Sequence, residues 1–112
     1  MKVNELIEEL NLTLFCGEAG VDNEIKGGYT CDLLSDVMGN IEEGMVWITM
    51  QTHQNVLAVA SLKDAAAVLI VNGYEPDGEM REKTMEGAIP ILGTKLSAFE
   101  ASGIIYRLLH GK

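Results

Sequence analysis

In the first ten residues the apolar positions Val3, Leu6, Ile7 and Leu10 recur at helical spacing, with Glu5, Glu8 and Glu9 between them. That spacing predicts a short amphipathic helix covering one face of a domain. Leu12 to Cys16 alternates and reads as a first strand, followed by a turn from Gly17 to Asn23. The turn ends on Asp22-Asn23, residue types that tolerate tight-turn dihedrals. Ile25 to Cys31 reads as a second strand, in which Gly27-Gly28 suggests a bulge or a close backbone approach. Asp32 is placed to cap a helix through Leu33, Leu34, Val37 and Met38 that Gly39-Asn40 stops.

Beyond that point strands and helices alternate. Met45 to Met50 has high β propensity. Thr52 to Asn55 is polar throughout, and Val56 to Leu62 reads as a helix apolar on nearly all sides, hence a buried one. Ala65 to Val71 is a continuous apolar run, the pattern of a strand covered on both faces, and Asn72-Gly73 ends it. Asp77 caps a helix through Met80 and Thr84 that Gly87 closes. Ala88 to Leu92 is a further strand, and Pro90 implies either an edge position or a strand start. Ser97 and Glu100 have the spacing of a capping box. The last helix then carries Ala101, Ile104, Ile105 and Leu108 on one face. The alternation predicts βαβ units and a three-layer α/β/α domain with a mostly parallel central sheet, occupying residues 1–112 as a single unit.

Composition narrows the function classes. Of 112 residues 47% are hydrophobic but only 5% aromatic, so the core must be aliphatic. Eight Lys plus Arg against seventeen Asp plus Glu give a net charge of -9. Phosphate backbones and anionic membranes repel such a surface, so neither nucleic acid nor membrane is expected as a partner. The glutamates of the first helix interrupt any signal-peptide core, and the apolar runs are too short to span a bilayer. Cys16 and Cys31 lack metal or redox spacing and read as reduced thiols of a cytoplasmic chain.

Ligands of open α/β sheets collect outside the carboxyl ends of the strands. Three such ends are visible: Gln51 to Asn55, Asn72-Gly73, and Gly93 to Ser97. They nominate Thr49, Thr52, His53, Asn55, Asn72, Gly73 and Ser97 as ligand-binding residues, with Thr30, Asp32 and Ser35 as a second group. The expectation is that the three ends share one cleft. Each residue also has a structural use: Asn72-Gly73 as a turn, Ser97 with Glu100 as a cap, His53 as a loop residue donating one hydrogen bond. Asp32 and Asp36, four apart, would share a helix face as an acidic patch. No phosphate-binding loop, dinucleotide fingerprint, nucleophile elbow or zinc-protease pair occurs, and no cofactor or metal is expected. An enzyme built on His53 with Asp32 or Cys31 needs those groups within hydrogen-bond reach. A pure interaction protein, an accessory subunit of a partner enzyme, is the remaining class.

Several ordered segments carry a family resemblance. Trp47-Ile48-Thr49, Leu57 to Ala60, Leu69 to Pro76, Ile89-Pro90-Ile91 and Ser97 to Glu100 together resemble the DRTGG domain, and are similar to the N-terminal, non-kinase domain of HPr kinase/phosphorylase. Gly28 to Met38 and Thr49 to Asn55 resemble a small stand-alone branch frequent in anaerobic bacteria. The resemblance spans about Gly27 to the last helix. It implies a layered α/β/α fold, a regulatory or ligand-sensing role for a small polar ligand or nucleotide, and a homodimer. Where that family often has an Asp-Arg pair this chain has Gln51-Thr52, and where it often has Thr-Gly-Gly this chain has Val71-Asn72-Gly73. The bidentate phosphate anchor an arginine would supply is therefore missing.

Overall fold

A computed structural model describes residues 1–84 and 89–111. Helix α1 (Val3–Leu10), strand β1 (Thr13–Cys16) and a 3-10 turn at Glu18–Gly20 come first. Then follow β2 (Gly27–Thr30), α2 (Leu34–Asn40), β3 (Met45–Thr49), α3 (Gln54–Leu62), β4 (Ala67–Ile70), α4 (Gly78–Thr84), β5 (Ile91–Gly93) and α5 (Ala98–His110). The five strands are ordered β1-β5-β4-β3-β2. Strands β2, β3, β4 and β5 run parallel in sequence order, and β1 joins β5 antiparallel.

This topology follows from connection rules. Three successive strand–helix–strand crossovers step in one direction across the sheet, so a common hand puts their helices on one face. Accordingly Val37, Val56, Leu57, Ala60 and Met80 of α2, α3 and α4 pack with Trp47, Val68, Ile70 and Ile91 in one core. On the opposite face Val3 and Leu6 of α1 and Ala101 and Ile105 of α5 pack with Val46, Ile48, Ala67, Leu69 and Leu92. Successive residues of β3 and β4 enter opposite cores, as a period of two requires. The result is three layers, α/β/α, with a mixed, mostly parallel sheet. Ala65 to Val71 is buried at every position, as its unbroken apolar run implied.

Several expectations are corrected. Pro90 marks a strand start and not an edge: β5 lies between β1 and β4, and the Pro90 carbonyl accepts from the Val68 amide at 2.9 Å. A proline just ahead of a strand withholds no ladder donor. Helix α3 is not buried all round, since Leu62 is 68% exposed. On α5, Ala101 and Ile105 face the core while Ile104 is 40% exposed. Asp77 caps α4 as expected, accepting from the Met80 amide at 2.9 Å. Ser97 and Glu100 form the anticipated capping box on α5. Gly87 and Ala88, the expected helix stop and strand start, lie outside the described residues. No described helix is long and apolar enough to cross a membrane.

Candidate functional site

The carboxyl ends of β3, β4 and β5 are stitched together at Asn72-Gly73. Both residues adopt left-handed backbone, φ 61° and 75°, which Asn and Gly accept more readily than other residues. In that conformation the Asn72 amide donates to the Leu96 carbonyl at 2.8 Å and the Gly73 amide to the Thr94 carbonyl at 2.9 Å. The Asn72 side-chain amide lies 2.9 Å from Met50 Sδ, just after β3. Thr52 joins through its backbone, its carbonyl accepting from the Asp77 amide at 3.1 Å. The turn reading of Asn72-Gly73 is therefore correct, and the same turn ties the three strand ends into one rim.

Other strand-end residues are used internally. Thr49 is 1% exposed, and its hydroxyl donates to Asp32 Oδ1 at 2.7 Å. The same carboxylate oxygen accepts the Met50 amide at 2.7 Å. Asp32 thus does not cap α2. Leu33 holds the cap position without a side-chain hydrogen bond, and the helix begins at Leu34. Asp32 and Asp36 consequently share no helix face. Asp36 instead accepts from the Tyr29 hydroxyl at 2.5 Å, the Cys31 thiol at 3.3 Å and Asn40 Nδ2 at 3.0 Å. The Tyr29 hydrogen bond, then that of Cys31, holds the Asp36 carboxyl below its ordinary range. Donation to Asp36, then burial, pushes the Tyr29 phenol up to about 12. Thr30 Oγ1 lies 2.7 Å from Ser102 Oγ, fastening β2 to α5. Ser35 is exposed on α2, away from these bonds.

His53 caps α3, but by accepting: its Nδ1 takes the Asn55 amide at 3.1 Å, which fixes the proton of a neutral ring on Nε2. Among the described residues no hydrogen bond joins His53 to Asp32 or Cys31, so the His-based catalytic grouping is not assembled. Asn55 is exposed in the first turn of α3, Thr52 is half-buried, and Ser97 is engaged by its capping box. No group of three or more His, Cys, Asp or Glu able to hold a metal occurs among the described residues.

Sequence reasoning passed over the β1 side of the rim. A groove of about 170 Å³ there is lined by Thr13, Phe15, Gly73, Tyr74, Glu75, Gly93, Thr94 and Lys95. Phe15 lies across Gly93 so closely that a Cβ there would sit 2.4 Å from the ring. The Arg81 guanidinium stands 5.0 Å over the Phe15 ring and its Nη2 pairs with Glu75 at 2.9 Å. Lys95 lies two residues beyond the end of β5 and is exposed. Its place after Gly93-Thr94 at a strand end was the one available signal. The part played by Phe15 depends on the long-range β1–β5 pairing, which no local pattern announces.

No family model matches the sequence, and no curated protein matches it. Among solved structures, the chain is similar to the crystal structure of the CBS and DRTGG domains of the regulatory region of Clostridium perfringens pyrophosphatase, complexed with its activator, diadenosine tetraphosphate. The TM-score is 0.73 at 17% identity, over 93% of this chain and 45% of that one. The chain thus spans less than half the length of that solved chain. At this identity the likeness is one of architecture: the protein carries, at a distance, a three-layer α/β/α fold found in a DRTGG-containing regulatory region.

Proposed function

We propose that this chain is a non-catalytic regulatory module that senses a small polar ligand at the strand-end rim, with adenine nucleotides the first class to test. The observation that carries the reading is the contrast within the rim. Thr49 and Asp32 are consumed by each other, whereas Thr52, Asn55 and Lys95, which follow β3 and β5, have no side-chain hydrogen-bond partner among the described residues, and Lys95 lines a groove with Gly73. Their hydroxyl, amide and ammonium groups suit a polar, anionic ligand. Two further points support the reading: no catalytic motif occurs in the sequence, and the fold is shared with a regulatory region solved with a nucleotide activator.

Thermal shift tests it, using AMP, ATP and diadenosine tetraphosphate on wild type and on His53→Ala, Asn55→Ala and Lys95→Ala. A ligand at a hundred times its dissociation constant stabilises by about 2.7 kcal/mol, a shift of several degrees for a small domain. The expected result is a rise in wild type that Asn55→Ala and Lys95→Ala diminish. Equal shifts in wild type and all three variants would remove the rim as the site, and no shift across the panel would remove nucleotides as the ligand class.

A second reading, an accessory module docking on another protein, draws on the apolar side chains that α5 leaves in solvent: Phe99, Ile104 and Tyr106.

A further inference from the structure

The outward side of α5 is not an ordinary solvated helix face. Phe99 is 89% exposed and Ile104 40% exposed, and a groove of about 360 Å³ runs between them. Its lining comes from this helix alone: Phe99, Glu100, Gly103, Ile104, Arg107 and Leu108. These positions recur as adjacent pairs every four residues, which makes one continuous helical stripe. They are also symmetric about the point between Gly103 and Ile104. Laid antiparallel on a copy of itself, the stripe sets Phe99 against Leu108, Glu100 against Arg107 and Gly103 against Ile104.

We propose that this stripe is a self-complementary docking surface through which two copies of the chain pair, α5 against α5, about a two-fold axis near Gly103. A two-fold contact requires one patch to be complementary to itself, and this one is so in shape, polarity and charge. Two observations single it out. First, Gly103 sits inside a 13-residue helix, where glycine costs about 1 kcal/mol relative to alanine. Nothing in the fold needs that glycine, since a Cβ there meets no atom within 4 Å. The notch it leaves receives Ile104 of a second copy, and the reverse contact forms by symmetry. Second, the molecule carries a net charge of -9, which opposes self-association in general, yet this stripe holds one acid and one base. Antiparallel pairing places Glu100, in the first turn of one helix, beside Arg107, in the last turn of the other, and opposes the two helix dipoles favourably. One helix face buries less than the roughly 1,600 Å² of a standard stable interface, so the dimer is a weak one. Glu100, at the start of the stripe, shares a groove with the rim residues Thr94 and Lys95, but the central contact at Gly103 and Ile104 lies further along α5, so either proposal can fail alone.

Sedimentation velocity over a concentration series tests the pairing, with circular dichroism checking the fold of each variant. Wild type forms a reversible dimer. Gly103→Leu and Ile104→Glu each weaken it by at least about thirtyfold, the scale of a central interface residue, while remaining folded. Leu62→Glu, which changes an exposed apolar residue on the opposite layer, leaves it unchanged. Register is read by charge reversal: Glu100→Lys alone and Arg107→Glu alone are both monomeric, and an equimolar mixture of the two restores the dimer. A wild type that stays monomeric at the highest soluble concentration would overturn the proposal. So would a dimer indifferent to Gly103→Leu and Ile104→Glu, or a mixture no more associated than its components.

Discussion

The β2 flank and the β4–β5 flank of the sheet use similar side chains in opposite ways. Around β2, Tyr29, Cys31 and Asn40 converge on Asp36, and Thr49 with the Met50 amide converges on Asp32. At the other flank, the chain turns through left-handed Asn72 and Gly73 on backbone bonds to Leu96 and Thr94, the Asn72 side chain meets only Met50 Sδ, and Lys95 stays in solvent. Strand β2 is short and half-glycine, with few apolar side chains to bury, so polar contacts attach it to β3. Strands β4 and β5 lie inside the sheet and are held by burial, and beyond β5 the Lys95 side chain is left uncommitted in solvent. A polar residue near a strand end is therefore free for a ligand only where packing already holds that strand.

The largest test of this contrast is Trp47→Ala. Trp47 is fully buried, and its indole donates to the Cys31 carbonyl at 2.9 Å, so it links the central core to the β2 flank. Its loss should cost about 3–5 kcal/mol in urea unfolding, a large part of the roughly 5–15 kcal/mol of a typical domain. Asp32→Ala comes next. It leaves the buried Thr49 hydroxyl hydrogen and the Met50 amide without their acceptor and should cost about 1–3 kcal/mol, a cost absent if Asp32 were only a solvated strand-end carboxylate.

A smaller effect follows from the paired titration of Tyr29 and Asp36. The raised phenol contributes stability that is complete below about pH 10, its unfolded value, and is lost as pH climbs toward 12. The lowered Asp36 contributes stability present above about pH 3.9 and lost as pH falls through its folded value. Tyr29→Phe should therefore flatten the alkaline limb of a stability–pH profile. At the other flank, Asn55→Ala and Lys95→Ala should change stability by less than about 0.5 kcal/mol, the usual range for surface substitutions. Costs there matching that of Asp32→Ala would erase the distinction between the flanks.

Much of the architecture was legible because burial writes itself into local pattern. The run Ala65 to Val71 announced a strand covered on both faces, and the caps at Asp77 and Ser97 formed as their spacing implied. The misread residues are those whose partner lies far along the chain. Asp32 had the spacing of a helix cap, but the parallel pairing of β2 with β3 brings it to Thr49, seventeen residues on. Pro90 allowed two readings, and only the antiparallel addition of β1 outside β5 decided between them. The ends of β3, β4 and β5 fall where the pattern put them, while the separation of engaged from open side chains there required the hydrogen-bond network. Lys95 went unselected among its neighbours because nothing local distinguishes a rim cation from any surface lysine.

The most direct test of the central claim is chemical-shift mapping of the ¹⁵N-labelled chain during titration with diadenosine tetraphosphate and with ATP. Saturable changes clustered at Thr52, Asn55, Asn72, Gly73 and Lys95, with Tyr29 and Asp36 still, are the predicted result. A spectrum that does not change, or changes confined to the β2 flank or to α5, would contradict it.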